Sequence, residues 1–205
     1  MPVLALNDLP ANIYVSRDFI KPGSEAAYRP IEQDGRAICI KLRCPHPYLG
    51  LESLSVPHEA LFLNLLVSDA ELHAVGAGYD ANPKLLAALD TIKQRKAGLV
   101  GTAQEFVAHV RPDLSVAATW HMGCARFFVI AFTGPDMKIA GSVFDSDNGL
   151  RMTVRQECAR DRADAAAHVM GPAARLFAVR QYWSMPDPTW RAADPAFWNA
   201  AVPDR

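Results

Sequence analysis

The sequence is poor in cysteine, has no long hydrophobic run and carries no excess of either charge, and each absence excludes something. Four cysteines in 205 residues, Cys39, Cys44, Cys124 and Cys158, are too sparse for a secreted disulfide scaffold and fit a reducing compartment. A chain of this length buries enough core to need no cross-links. The longest apolar stretch, around residues 60–67, is interrupted by Asn64 and falls far short of the roughly 20 residues of a membrane helix. No membrane partner is therefore expected. The opening Met1-Pro2-Val3-Leu4-Ala5-Leu6-Asn7-Asp8 lacks the basic and apolar stretches of a secretory signal, which makes a cytoplasmic location the expectation. With 21 Lys and Arg against 22 Asp and Glu, the net charge is -1, and no basic face is available to neutralise a nucleic acid backbone. A small-molecule ligand is the expected partner.

Chemistry-bearing motifs are equally scarce. There is no G-x-S-x-G elbow, P-loop or G-x-G-x-x-G, which removes the sequence-readable hydrolase, nucleotide and dinucleotide classes. Cys39, Cys44 and His46, with His121-x-x-Cys124, supply metal-ligand types without C-x-x-C or H-x-x-x-H spacing, so no metal and no cofactor is expected. Asp145-Ser146-Asp147-Asn148-Gly149 resembles a calcium loop, but it is one residue short and Gln156 stands where the bidentate Glu belongs. A hairpin turn explains it better.

What is present is a regular order of elements. Asn12 to Ile20 alternates, with Ile13, Val15, Arg17 and Phe19 on one face and Tyr14, Ser16, Asp18 and Ile20 on the other, the periodicity of a strand. Pro22-Gly23 ends it and Ser24-Glu25-Ala26-Ala27 opens a helix that Pro30 should kink. Tyr48 to Val56 and Ala60 to Val67 read as a hairpin across Pro57-His58. Ser68-Asp69-Ala70-Glu71 has the capping-box pattern, and Asn82-Pro83 caps a second helix that ends in Lys93, Arg95 and Lys96. Gln104 to Arg111 returns as a strand. Residues 12–111 thus read βαββαβ, a ferredoxin-like unit. Residues 125–184 repeat the order imperfectly: strands at 125–133, 139–145 and 150–157, a helix at 159–170 and a last strand at 175–183, with the first helix lost. The tail, 185–205, carries prolines with Trp190, Phe197 and Trp198. It is expected to lie across the body without regular structure.

Two segments stand out: Asn12-Ile13-Tyr14-Val15 with Lys21-Pro22-Gly23-Ser24-Glu25-Ala26-Ala27-Tyr28, and Tyr48-Leu49-Gly50-Leu51-Glu52-Ser53 with Pro57-His58-Glu59-Ala60. Together they resemble the dimeric α+β-barrel superfamily, especially antibiotic biosynthesis monooxygenase-like proteins. The resemblance implies an α+β fold in which two ferredoxin-like units, here from one chain, pack as a pseudo-dimeric barrel with a pocket between each sheet and its helices. It also implies chemistry such as cofactor-independent oxygenation or isomerisation. Haem-degrading members share an Asn, a Trp and a His in the first unit; this chain offers Asn12 and His73 or His58, but no Trp before Trp120. Haem degradation is therefore not expected.

The candidate residues follow from this frame. Arg17 and Glu52, charges on otherwise apolar strand faces, are costly unless paired or bound to a ligand, and read as a pair pointing between sheet and helices. The alternative is an ordinary salt bridge or a solvent-facing position. His46, held between Pro45 and Pro47, and His121, ahead of the second half's first strand, are candidate general bases with Glu52. Tyr48, Arg17, Trp120 and Trp183 are candidate substrate contacts. The expectation is a small-molecule-binding protein, an oxygenase or isomerase acting on a partly aromatic substrate through general-base catalysis. The alternative is a non-catalytic binding or assembly protein with a structural barrel, and the aromatic end leaves room for a homodimer.

Overall fold

The computed structural model describes residues 4–55, 57–116, 120–134 and 139–200. The expected end of the second strand at Val56, the turn after Gly134 and the last five residues of the tail lie outside them.

Strand β1, Asn12–Ile20, leads through a turn into helix α1, Glu25–Leu42; then come β2, Leu49–Ser53, and β3, Glu59–Leu66. Helices α2, Asp69–Asp80, and α3, Pro83–Lys96, precede β4, Val100–Val110. In the second half β5 is Phe127–Thr133, β6 Ser142–Ser146, β7 Arg151–Glu157, α4 Arg160–Met170 and β8 Ala174–Val179. The tail carries two short helices, α5, Pro188–Ala193, and α6, Pro195–Trp198.

Local chemistry explains most of these boundaries. Ser68 Oγ accepts from the Glu71 N–H at 3.2 Å, while Glu71 reaches back to the N–H of Val67 at 2.7 Å, one residue before the cap expected. Asn82 accepts from the Leu85 N–H at 3.2 Å and opens α3. Helix α1 runs unbroken through Pro30. It ends where Arg43 turns left-handed, at φ 59°, and the Cys44 N–H returns to the Cys39 carbonyl at 2.8 Å. Between β6 and β7, Gly149 supplies the φ of 80° that the turn requires.

The eight strands close into an antiparallel barrel in the order β1-β3-β2-β8-β5-β7-β6-β4. The first four strands lie in the order β4-β1-β3-β2 and the last four in the same pattern, β8-β5-β7-β6; β2–β8 and β4–β6 are the two seams. Between β5 and β6 no helix occurs among the described residues. Inward-facing side chains, among them Ile13, Val15, Leu49, Leu63, Phe128, Phe144 and Phe177, fill the interior. Trp120, Trp190 and Trp198 belong to the same core. On the outside, α4 packs Ala163, Ala166 and Met170 directly against Val129, Ala131 and Leu176.

Three expectations need correction. The cysteines are not free: Cys39 pairs with Cys44 and Cys124 with Cys158, which withdraws the thiol argument for a reducing compartment, since disulfides persist in oxidising ones. Strand β8 stops at Val179 because the chain turns there, with the Trp183 and Ser184 N–H groups both returning to the Arg180 carbonyl. Finally, the tail is helical where Asp187 and Asp194 cap it, each accepting a backbone N–H. None of the described helices is long and apolar enough to cross a membrane.

Candidate functional site

Alternation along β1 sends Ile13 and Val15 into the barrel and Tyr14, Ser16 and Asp18 out toward the helices. Over that outer face α1, α2 and α3 form a roof, and between roof and sheet lies a cavity of about 720 Å³, the size of a small-molecule site. Its floor is completed by Tyr48 before β2, Phe62 and Asn64 from β3 and Glu105 from β4. Helical spacing puts Glu32, Gly35 and Cys39 of α1 on one lining face, with Tyr79 from α2 and Lys96 from the end of α3 beside them.

A buried ionic cluster dominates the chemistry. The Lys96 ammonium lies 2.8 Å from Asp18 and 2.7 Å from Glu32. It also sits 5.6 Å from the centre of the Phe62 ring. The Tyr28 hydroxyl donates to Asp18 at 2.7 Å. Burial pushes the Glu32 carboxyl up from its ordinary value, with Asp18 adding to the effect and Lys96 only partly opposing it. For Lys96, burial alone would pull the ammonium down, but Glu32 and Asp18 together hold it above its ordinary value. The cluster therefore combines a proton-hungry carboxylate with a firmly protonated ammonium. Around it, burial raises the hydroxyls of Tyr14, Tyr48 and Tyr79, with Glu105 reinforcing Tyr14 and Glu32 reinforcing Tyr48. They remain neutral hydrogen-bonding groups.

No protein-family model and no curated protein matches the chain. Solved structures do. An anthrone oxidase-like protein aligns with 87% of this chain and 94% of its own at a TM-score of 0.50 and 10% identity. A proposed monooxygenase from Fusobacterium nucleatum aligns over 82% and 91% at 0.47 and 10%. A proposed chlorite dismutase aligns over 84% and 96% at 0.46 and 11%. The chain folds as an α+β barrel, as that anthrone oxidase-like protein does. In this barrel a single chain supplies all eight strands.

Within the barrel the sequence candidates separate. Tyr48 lines the cavity. Arg17 does not, because its face of β1 is the interior one; its Nε donates to Glu59 at 2.6 Å and its guanidinium lies 4.3 Å and 4.0 Å from the ring centres of Phe19 and Phe132. Arg175 pairs with the same glutamate. Glu52 pairs instead with Arg29 at 2.9 Å and Arg180 at 2.6 Å, off the cavity lining. The expected Arg17–Glu52 pair is thus two separate ionic clusters, around Glu59 and around Glu52, on opposite faces of the sheet.

His46 is buried with Nδ1 2.6 Å from the Pro47 carbonyl and Nε2 3.3 Å from Glu71. It fastens the loop before β2 to the start of α2 and is not among the cavity's lining residues. Exposed His121 lies beside Asn7, at 3.2 Å. Trp120 donates to Ser142 at 2.9 Å inside the barrel. Trp183 stands edge-on behind Tyr28 at 5.9 Å and tilted against Phe62 at 6.4 Å, supporting the cavity wall from behind.

The cluster residues themselves, Asp18, Glu32 and Lys96, escaped the sequence reading. Asp18 was visible as a charge on the alternate face of β1. Lys96 carried only the signal of a basic residue at a helix C-terminus. Among the described residues no group of three or more His, Cys, Asp and Glu is arranged to hold a metal.

Proposed function

We propose that this protein binds a small, partly aromatic molecule in the cavity under α1, α2 and α3 and removes a proton from it, with Glu32 as the base. The observation that carries this reading is the buried Glu32–Lys96–Asp18 cluster on the cavity lining. A carboxylate whose proton affinity is raised by burial is matched to abstracting a proton near neutral pH. The ligand brings an acidic C–H or phenolic O–H; Glu32 takes that proton, and the negative charge moves onto the ligand beside the Lys96 ammonium. Tyr14, Tyr48 and Tyr79 orient the ring system. The resulting anion then either recovers a proton at another carbon, which is isomerisation, or meets molecular oxygen, which is oxygenation. Neither outcome requires a cofactor.

In this reading residues 12–111 are the working ferredoxin-like unit. Residues 125–184 are a second, degenerate unit that closes the barrel, and the described part of the tail, 185–200, packs on the body. The close packing of α4 on β5 and β8 favours a structural role for the second unit, so the non-catalytic alternative applies to that half.

Oxygen uptake with anthrone, a flat ketone with an acidic methylene, tests the proposal. Wild-type protein should accelerate uptake over the spontaneous rate, and Glu32→Gln should lower the accelerated rate about 100-fold. Equal uptake with and without wild-type protein, accompanied by no binding, would overturn it.

A further inference from the structure

We infer that the cavity takes its ligand as an uncharged molecule and rejects carboxylates and phosphates; the inference rests on the proposed function of the same site. The cavity lining holds four carboxylates, Asp18, Glu32, Asp90 and Glu105, and two ammonium groups, Lys93 and Lys96. Lys96 is engaged by two carboxylates at once, at 2.8 Å and 2.7 Å. Lys93 reaches Glu105 at 3.9 Å from a side chain that is 74% exposed, on the solvent side of the site.

Recognition of a carboxylate or phosphate calls for an arginine fork or a cation not already satisfied. Among the described residues the lining contains no arginine, no histidine and only these two lysines. An anion placed by the cluster would add to a group of three charges that already sums to one negative. In a low-dielectric site, like charges at this range cost heavily.

Neutral oxygens meet the opposite situation. Tyr14, Tyr48 and Tyr79 are held protonated by burial, and Ser16 and Asn64 also line the space. Proton transfer from a neutral ligand to Glu32 moves one negative charge from protein to ligand and leaves the total unchanged. An already anionic ligand would force a second negative charge into the same volume. The substrate class is therefore neutral hydroxyaryl compounds or aryl ketones that ionise only inside the site, to the exclusion of carboxylated, phosphorylated and coenzyme A-linked forms.

Calorimetric titration of wild type with 1,8-dihydroxyanthraquinone and with the same ring system bearing a carboxylate tests the inference. The neutral compound should bind tighter by on the order of 100-fold. In Asp18→Asn/Glu32→Gln, where Lys96 is left as an uncompensated cation, that preference should shrink at least about 10-fold or reverse. Gly76→Phe reports the location, because Gly76 lines the cavity and the space where its side chain would sit is open; it should abolish binding of both compounds. Equal or tighter binding of the carboxylate by wild type, still abolished by Gly76→Phe, would overturn the charge selection while leaving the cavity as the site. Binding indifferent to Gly76→Phe, or no binding of either compound, would overturn the functional reading and the inference with it.

Discussion

Glu32 on α1 and Lys96 at the end of α3 meet at 2.7 Å over the outer face of the sheet. The pair ties two helices together, and Asp18 of β1, at 2.8 Å from the same ammonium, ties both to the strand beneath. One cation thus holds roof to floor at the place where the cavity carries its reactive carboxylate.

Removing the ammonium should expose that arrangement as a pH-dependent loss of stability. Burial raises Glu32 above its ordinary 4.5, so the folded state binds a proton more readily than the unfolded one and loses stability as pH rises from 4.5 through the folded value. Lys96 limits the loss. Its own contribution, from a value held above 10.5, is present below 10.5 and disappears only as pH rises through that higher folded value. In Lys96→Met the penalty should reach about 3–5 kcal/mol near pH 8 and become small near pH 4, where the Glu32 carboxyl is protonated. Urea unfolding at the two pH values checks this, and a pH-independent loss would contradict it.

The disulfides should differ in what they contribute. Cys124 and Cys158 are 34 residues apart and Cys39 and Cys44 only 5. On loop-closure entropy, replacing the first pair by alanine should cost about 4 kcal/mol and the second about 2 kcal/mol. Denaturation midpoints of the two double variants check the order. Thiol titration of the unfolded, unreduced protein should find no free thiol, and free thiols would contradict the pairing.

Trp190, only 1% exposed, is part of the barrel core. Trp190→Ala should destabilise by about 3–5 kcal/mol. Because the cavity lies on the opposite side of the sheet, the ligand affinity of the folded variant should not change. Paired unfolding and calorimetric measurements separate the two effects, and lost affinity at full folding would contradict this division of the molecule.

Much of the fold was legible because its signals are local. Strand β1 spans the alternating residues Asn12–Ile20, and Ser68 and Asn82 cap the helices they were expected to cap. The candidate site was less legible because period-2 alternation defines two faces without saying which one a closed barrel turns inward. Arg17 shares a face with Ile13 and Val15, and barrel closure makes that face the interior, where Glu59 is available to pair with it. Asp18, on the other face, received the cavity. Glu32 and Lys96 lie far apart in sequence, and neither has a motif; only the packing of α1 beside α3 brings them together. His46 was singled out for its stiff proline-flanked loop, and that loop instead anchors to Glu71. Gly50 illustrates the same dependence on tertiary context: a Cβ there would stand 2.6 Å from Trp183 Cβ, a contact that no local pattern announces.

The claim that Glu32 removes a proton from a ligand in the first-half cavity is tested most directly by hydrogen exchange. The methylene hydrogens of anthrone exchanging into D2O under nitrogen, followed by proton NMR, isolate proton abstraction from any later reaction with oxygen. Wild type should accelerate the exchange, with the rate falling as pH drops through the raised Glu32 value, because only the carboxylate is a base. Glu32→Gln should exchange about 100-fold more slowly at an equal bound fraction. Exchange by Glu32→Gln at the wild-type rate would contradict the account.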